Sequence, residues 1–381
     1  MIVLWWLVAA LSCAASAYLL LAMAAVLGLR LKRGPGWRNP PGVTVLKPLC
    51  GDEDGLEAAI ESFVAQAMPG AVTHVFGVAD GGDPALAVAR RVAERHPAVD
   101  CRFVIDATVH GANPKVSNLV NMARALPEGL GEVVVISDSD IVIAPGVLAR
   151  AVDRLAEDGT GAVTALYRAR PGRSGDQVRR LGAWFIDYWF LPMAVLHARL
   201  APLQVTYGPL TAVRREVLAA AGGLEALAPH LSDDAELGKR ICRAGWKIVF
   251  GPDAVETLVN DRDLAALFDH ELRWARTVRG LDPVGYVASV VSHPGPLPLL
   301  LLCWPGVASL WLAVLPVVLH WVLARVVARR LGRNDDLPLP GLVAVWWRDV
   351  FSFAVWAKGL VARRVGWRGA RLAVAHGDIL Q

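Results

Sequence analysis

No two cysteines in this chain are spaced as Cys-x-x-Cys: Cys13, Cys50, Cys101, Cys242 and Cys303 are scattered over 381 residues. That spacing argues against a zinc site or a disulfide framework and suits a reducing compartment. Also missing are a GxxxxGK[ST] phosphate loop, a GxGxxG turn after the first strand, a GxSxG elbow and an HExxH helix. Phosphate-loop and dinucleotide enzymes, common serine hydrolases and zinc peptidases are therefore poor readings. Neither an internal repeat nor a low-complexity tract is present. Charge is scarce, at 19% of residues against 55% hydrophobic, which is too apolar for an ordinary soluble protein. The net charge of +4 is small and the basic residues cluster beside apolar segments. That points to anionic lipid headgroups and away from nucleic acid.

The apolar excess lies at the ends. Ile2 to Leu29 carry no charge and can cross a hydrocarbon layer of ~30 Å. A cleaved signal peptide is the rival reading, but the run is long, lacks a basic leader and is followed by Arg30, Lys32, Arg33 and Arg38. An anchor over residues 1–30 is expected, with the chain beyond it cytoplasmic. A second apolar region, 284–327, is long enough for two crossings and is expected to form a hairpin, with a turn at Trp304, Pro305 and Gly306. It would return the chain to the side bearing Arg325, Arg329, Arg330 and Arg333. A third patch, Gly341 to Val361, holds Arg348, Asp349 and Lys358. Charges in mid-span are costly, so 337–381 is expected to be an interfacial or re-entrant helix and a tail.

Residues 42–283 have a soluble character and suffice for one domain with a substantial core. Strand and helix patterns alternate there, the signature of an α/β sheet. Strands are expected at Val43–Leu46, Val72–Val78, Arg102–Ile105, Val133–Ile136 and Ala162–Tyr167, and helices at Gly55–Gln66, Pro84–Glu94 and Lys115–Leu126. A further helix, from about Gly175 to Leu200, carries Trp184, Phe185, Tyr188, Trp189 and Phe190. That aromatic set suits either a core helix or an interfacial, lipid-acceptor surface.

The run VVVISDSD reads as a strand buried on both faces that stops at Asp138 and Asp140. Ligands of parallel sheets collect at strand carboxyl ends. Two carboxylates there repel each other and lose hydration unless a cation or donors compensate. A divalent metal holding a diphosphate is one answer. Capping of a helix that begins near Pro145 is the other.

Four more polar clusters follow the same order as in a known family: VADGG, GANPKVSNL, LSDDAELGKR and HELRW. Together with the DSD they resemble the ceramide glucosyltransferases and the related bacterial hopanoid glycosyltransferases, lipid-directed inverting enzymes with the GT-A fold. The resemblance runs from VTVLKPLCG at Val43 to the WRG at Trp367. It implies an α/β GT-A domain with a mostly parallel sheet, flanked by transmembrane and interfacial helices.

The resemblance also implies roles. Asp80 would contact the uracil, although an Asp-Gly turn accounts for it as well. Lys115 and Asn118 would lie in the donor-binding loop, the ammonium countering a diphosphate; a surface lysine opening a helix is the alternative. Asp140 would ligate Mg²⁺ or Mn²⁺, and Asp138 would serve the nucleoside or diphosphate. Asp234 takes the position of the base and Asp233 that of a neighbouring, usually Glu, residue; helix capping is the other reading. His270, Arg273 and Trp274, spaced i, i+3 and i+4, share one helical face that would grip the nucleotide, with His270 standing where Gln or Arg is usual. Gly208, in VTYGPLTAVRR, would lie near the sugar or simply serve a turn.

The function so implied is transfer of a sugar from a UDP-sugar to a lipid hydroxyl at a bacterial inner membrane. Glucose to ceramide comes first, and N-acetylglucosamine to a bacteriohopane polyol second. A processive polysaccharide synthase would use similar aspartates, but few spans argue against a polymer channel. Joint presence of Asp80, Asp138, Asp140, Asp234, Arg273 and Trp274 argues against a non-catalytic scaffold.

Overall fold

A computed structural model describes residues 2–51, 53–170, 176–332, 341–362, 364–367, 370–375 and 378–380. The chain divides into two compact units. One comprises Met1–Leu29, Arg173–Ala201 and Asp261–Gly377, the other Arg30–Gly172, Pro202–Asn260 and Asp378–Gln381. The single domain expected over 42–283 therefore gives its aromatic helix and its HELRW helix to the unit that holds the apolar ends.

In the second unit the β-branched runs become strands. These are β1 (Val43–Pro48), β2 (Val72–Val78), β3 (Asp100–Ile105), β4 (Val133–Ile136), β5 (Ile141–Val142), β6 (Thr160–Thr164), β7 (Tyr167–Arg170), β8 (Thr211–Arg214), β9 (Lys247–Phe250) and β10 (Val255–Leu258). Seven form a sheet of order β3-β2-β1-β4-β8-β6-β9, parallel except where β8 runs antiparallel to β4 and β6. β1 and β4 are buried along their whole length, as strands covered on both faces must be. One core packs Val45, Phe63, Val133, Val135, Leu148 and Ala212 together, and another Leu56, Ile60, Phe76 and Leu86. The chain winds from β1 to β3 on one side and resumes at β4 on the other. The carboxyl ends of β1 and β4 thus make the switch-point crevice where open α/β sheets bind ligands.

The strand expected over Ala162–Tyr167 is two strands. The chain leaves the large sheet at Ala165, whose N–H bonds the Leu210 carbonyl, and β7 joins a small sheet of order β5-β10-β7.

In the first unit, Ile2–Leu27 and Val307–Arg330 are long and apolar enough to cross a membrane by length and composition. They run side by side in the same direction. Trp5 Nε1 donates to Ser309 Oγ at 2.9 Å, Ser12 Oγ donates to the Leu312 carbonyl, and Arg330 reaches the Leu27 carbonyl. Small buried residues, Ala9, Ser12, Ala15 and Ala22 among them, let the first helix approach closely. The first limb of the expected hairpin is no continuous helix. It is a short helix, Pro283–Ala288, followed by 3₁₀ turns at Ser289–Ser292 and Pro298–Cys303. Pro294, Pro296 and Pro298 remove three amide donors and push the residues before them out of helical geometry. Its end reaches the start of the second long helix, where Leu301 packs with Val8, Ala9 and Ala313.

Gly341–Val361 is a helix, and Arg348 and Asp349 within it find partners inside the unit. Arg348 is fully buried, bonding Glu271, the Leu181 carbonyl at 2.9 Å and Ser352 Oγ at 2.8 Å. Asp349 accepts from Trp189 Nε1 at 2.8 Å and from the Gly295 N–H at 2.7 Å. The aromatic stretch expected as one helix widens to a π-turn at Ile186–Phe190 between Gln177–Phe185 and Leu191–Leu200. Pro192 supplies the reason, since it has no N–H for the carbonyl four residues back and its ring crowds that carbonyl.

Candidate active site

Five segments of the α/β unit converge at the β1/β4 crevice. Past β4 the chain turns through Ser137, Asp138, Ser139 and Asp140 before β5. The following helix starts at Val147 behind Gly146, with no side-chain cap, so the capping reading of the two aspartates does not hold. Asp138 Oδ1 lies 2.7 Å from Lys115 Nζ, which also lies 3.0 Å from Asp233 Oδ2. Burial alone would lower the lysine's pKa, but Asp138, Asp233 and Asp234 more than reverse it, and Lys115 stays charged. This lysine joins the turn after β4 to the helix Asp233–Arg243.

Asp140 accepts from Thr257 Oγ1, on β10, at 2.9 Å. Burial first, then Asp138 and Glu53, push its carboxyl up to about 6, against the opposing pull of Thr257 and Lys47. An excess of negative charge of that kind is what a cation relieves. Among the described residues no group of three or more His, Cys, Asp or Glu side chains converges to hold a metal. Asp140 therefore fits an ion that takes one or two protein carboxylates and fills its other positions from diphosphate and water.

Asp234 stands at the start of its helix, but the cap position belongs to Ser232. The Asp234 carboxylate instead accepts from the Gly208 N–H at 3.0 Å, from Ser232 Oγ at 2.5 Å and from the Ala235 N–H at 2.8 Å. Burial and Asp233 raise its pKa, while Lys115, the Ser232 hydroxyl and the Ala235 N–H oppose the rise. Gly208 has a steric reason to be glycine, because a Cβ there would lie 2.7 Å from Asp138 Oδ2 and 3.6 Å from Asp234 Oδ2. The two carboxylates thus face each other across one glycine. Tyr207, beside it, stacks on Phe250 and meets Tyr167 edge-on, giving the crevice an aromatic wall.

Other expected residues sort differently. Asp80 is exposed past the end of β2 and accepts from the Gly82 N–H at 2.9 Å, as an Asp-Gly turn does. Asn118 donates to the Gly77 carbonyl at 2.8 Å and is held in the packing of the Pro114–Arg124 helix on β2. His270, Arg273 and Trp274 belong to the other unit, on the helix Leu264–Leu281. There His270 Nδ1 lies 3.2 Å from Asp261 Oδ1, its ring sits 4.3 Å from that of Trp274, and Trp274 stacks on Phe185. Glu271, on another side of the helix, is buried against Arg348.

Sequence reasoning missed Lys47, Glu53, Ser232, Thr257 and the tyrosines. Lys47 left a signal, as the one charge in the buried strand VTVLKP.

Comparison with known proteins agrees with the ordered motifs. A family model described as glycosyl transferase family 21 matches residues 4–380. A ceramide glucosyltransferase of Gibberella zeae is 34% identical over 140 residues, which are 34% of this chain and 26% of that protein. Ceramide glucosyltransferase 1 of Caenorhabditis elegans is 23% identical over 88% of this chain and 72% of its own. An N-acetylglucosaminyltransferase of Sinorhizobium fredii is 26% identical over 71% of this chain and 68% of its own. Among solved structures, a mannosyltransferase of Pyrobaculum calidifontis, in complex with GDP-Man and Mn²⁺, superposes with a TM-score of 0.56. It is 20% identical over 94% of this chain and 99% of its own. The fold is that of the GT-A glycosyltransferases.

Proposed function

The chain belongs to glycosyl transferase family 21, and from that premise we propose that it is a membrane-bound, metal-dependent inverting enzyme that moves a sugar from a UDP-sugar to a lipid hydroxyl. The observation that carries this reading is the approach of Asp138 and Asp234 to each other across Gly208, with Asp140 two residues further along the same turn, at the switch point of the sheet. One carboxylate suits a cation and another suits a proton, and both stand beside one crevice.

Asp140 holds the divalent ion, for which the Mn²⁺ named with the Pyrobaculum enzyme is support. That ion supplies neutralisation of the charge that builds on the departing UDP. Asp234 accepts the proton of the acceptor hydroxyl as its oxygen attacks the anomeric carbon and the bond from that carbon to the UDP oxygen breaks. Burial keeps Asp234 a better base than an exposed aspartate. Three donors fix its orientation before the acceptor arrives. Lys115 keeps Asp138 and Asp233 in place and offers an ammonium near the diphosphate. Asp80 takes the uracil; for Arg273 and Trp274, a role toward the nucleotide rests on the family resemblance of the HELRW motif.

Ceramide is the first acceptor and glucose the first sugar, on the likeness to the ceramide glucosyltransferases. N-acetylglucosamine to a hopanoid polyol is the second reading, favoured by the likeness to N-acetylglucosaminyltransferases. The apolar helices leave the acceptor's tail in the bilayer while its headgroup reaches a cytosolic site. We place the protein in a cytoplasmic membrane, with the α/β unit on the cytosolic face. Purified protein in nanodiscs, given UDP-glucose or UDP-N-acetylglucosamine with ceramide or a hopanoid polyol, should release UDP only with Mg²⁺ or Mn²⁺ and a matched lipid. Equal UDP release from Asp234→Ala and the parent protein would sink the role of that carboxylate.

A further inference from the structure

A lysine stands inside the sheet beside the metal-site turn. Lys47, on β1, is fully buried, a place lysine almost never occupies without partners. Its Nζ donates to the Asp138 carbonyl oxygen at 2.6 Å and lies 3.5 Å from that of Ile141. One ammonium thus bonds backbone on both sides of the Asp138–Asp140 turn. Its position 4.2 Å over the centre of the Phe63 ring closes the slot with a cation–π contact. The same turn is held at its middle residue, where Ser139 Oγ donates to Glu53 Oε2 at 2.7 Å. Both restraints come from β1 and the loop that follows it.

The register explains the reach. Leu46 pairs with Ile136 across β1 and β4, so Lys47 is level with the first residues beyond β4. The bond to the Ile141 carbonyl is buried and that to the Asp138 carbonyl partly so, so loss of the donor leaves backbone acceptors poorly satisfied. The ammonium also opposes the mutual repulsion of Asp140, Asp138 and Glu53, each of which acts on it.

We propose that Lys47 is a positioning residue of the metal site, an internal cation that fixes the Asp138–Asp140 turn through its carbonyls and so presents the Asp140 carboxylate to the ion. This rests on the reading of that turn as a metal–diphosphate site. Removing Lys47 has two opposed consequences. Loss of a positive charge near the ion would tighten metal binding, whereas loss of the carbonyl bonds would let the turn relax and weaken it. The second outweighs the first, because the charge acts through space while the bonds set the ligand geometry directly.

The test is titration of Mn²⁺ followed by electron paramagnetic resonance, in the presence of UDP, on the full chain in detergent. Parent protein, Lys47→Met and Lys47→Gln are compared, with thermal melts as the check on folding. The Met variant, which loses charge and donor, should bind Mn²⁺ roughly tenfold or more weakly. The Gln variant, which keeps a neutral donor, should recover part of that loss. Binding by both variants as tight as the parent's, or tighter, would overturn the inference. Should the Met variant fail to fold, the Gln variant decides by the same criterion. Failure of the parent itself to bind Mn²⁺ with UDP would instead overturn the metal–diphosphate reading of the site.

Discussion

Asp140 and Gly208 are the residues whose replacement bears most directly on the crevice. The Asp140 carboxyl is raised to about 6 in the fold, against roughly 4 in an unfolded chain. The metal-free native state therefore holds that proton more tightly than the unfolded state. The stability this supplies is fully present below about pH 4 and is lost as pH rises through about 6. Asp140→Asn removes that penalty. Thermal melts without metal should show the variant more stable than the parent at pH 7, by on the order of 1 to 3 kcal/mol, and the gap should close toward pH 4. The same variant should lose Mn²⁺-dependent UDP release. For Gly208→Ala, the added methyl must push on Asp138 Oδ2. Turnover is expected to fall by about a hundredfold, as for an ångström-scale misplacement of a reacting group, with a near-parental melting temperature. Near-parental turnover would show that the two carboxylates need not face each other across that glycine.

At this scale the sequence was legible wherever a charge broke an apolar run. Asp138 and Asp140 stand out that way, whereas Asp234 is marked only by the ordered family motifs; all three lie at the crevice. Other contacts had no linear signal. Ser232 reaching Asp234, or Thr257 reaching Asp140 from more than a hundred residues away, follows only from the pairing of β5 with β10 and from the local path before a helix. Asn118 shares a motif with Lys115, but three residues along that helix its amide faces the Gly77 carbonyl.

Among the elements, the Gly341–Val361 helix is explained by what it holds. Arg348 and Asp349 looked expensive in an apolar run, and the cost is met by Glu271, Ser352, Trp189 and the Gly295 amide. The Arg348–Glu271 pair ties this helix to the one carrying His270, Arg273 and Trp274. Breaking a buried pair leaves one charge uncompensated, at a cost of about 3–5 kcal/mol. Arg348→Met alone should thus lower the denaturation midpoint strongly, and Arg348→Met with Glu271→Leu should recover much of the loss. Equal midpoints for the single and double variants would remove the pair from the account. Strand and helix periods were readable across the α/β unit, whereas the breaks were not. The chain's departure from the large sheet at Ala165 and the π-turn before Pro192 depend on competition between neighbours that periodicity does not record.

For the whole molecule, the parallel course of the two long helices sets a topology. Their basic ends, followed by Arg30 and Lys32 in one case and formed by Arg329 and Arg330 in the other, lie together. We expect both at the cytoplasmic face. Cys303 is exposed close before the other end of the second helix, and Cys50 is exposed in the α/β unit. An impermeant maleimide applied to sealed, oriented vesicles should label Cys50 from the cytoplasmic side and Cys303 from the opposite side. Labelling of both from one side would refute the arrangement.

The central claim is that a divalent ion held at Asp140 and a buried aspartate base, Asp234, transfer a sugar to a membrane lipid. Its most direct test is mass spectrometry of lipids after incubation of the full chain in nanodiscs with ¹³C-labelled UDP-sugar, ceramide or hopanoid polyol, and Mn²⁺. One labelled sugar per lipid, joined with inverted anomeric configuration and absent from reactions with chelator or Asp234→Asn protein, is the expected result. Labelled polymer, retained configuration, or undiminished product from the Asp234→Asn protein would contradict it.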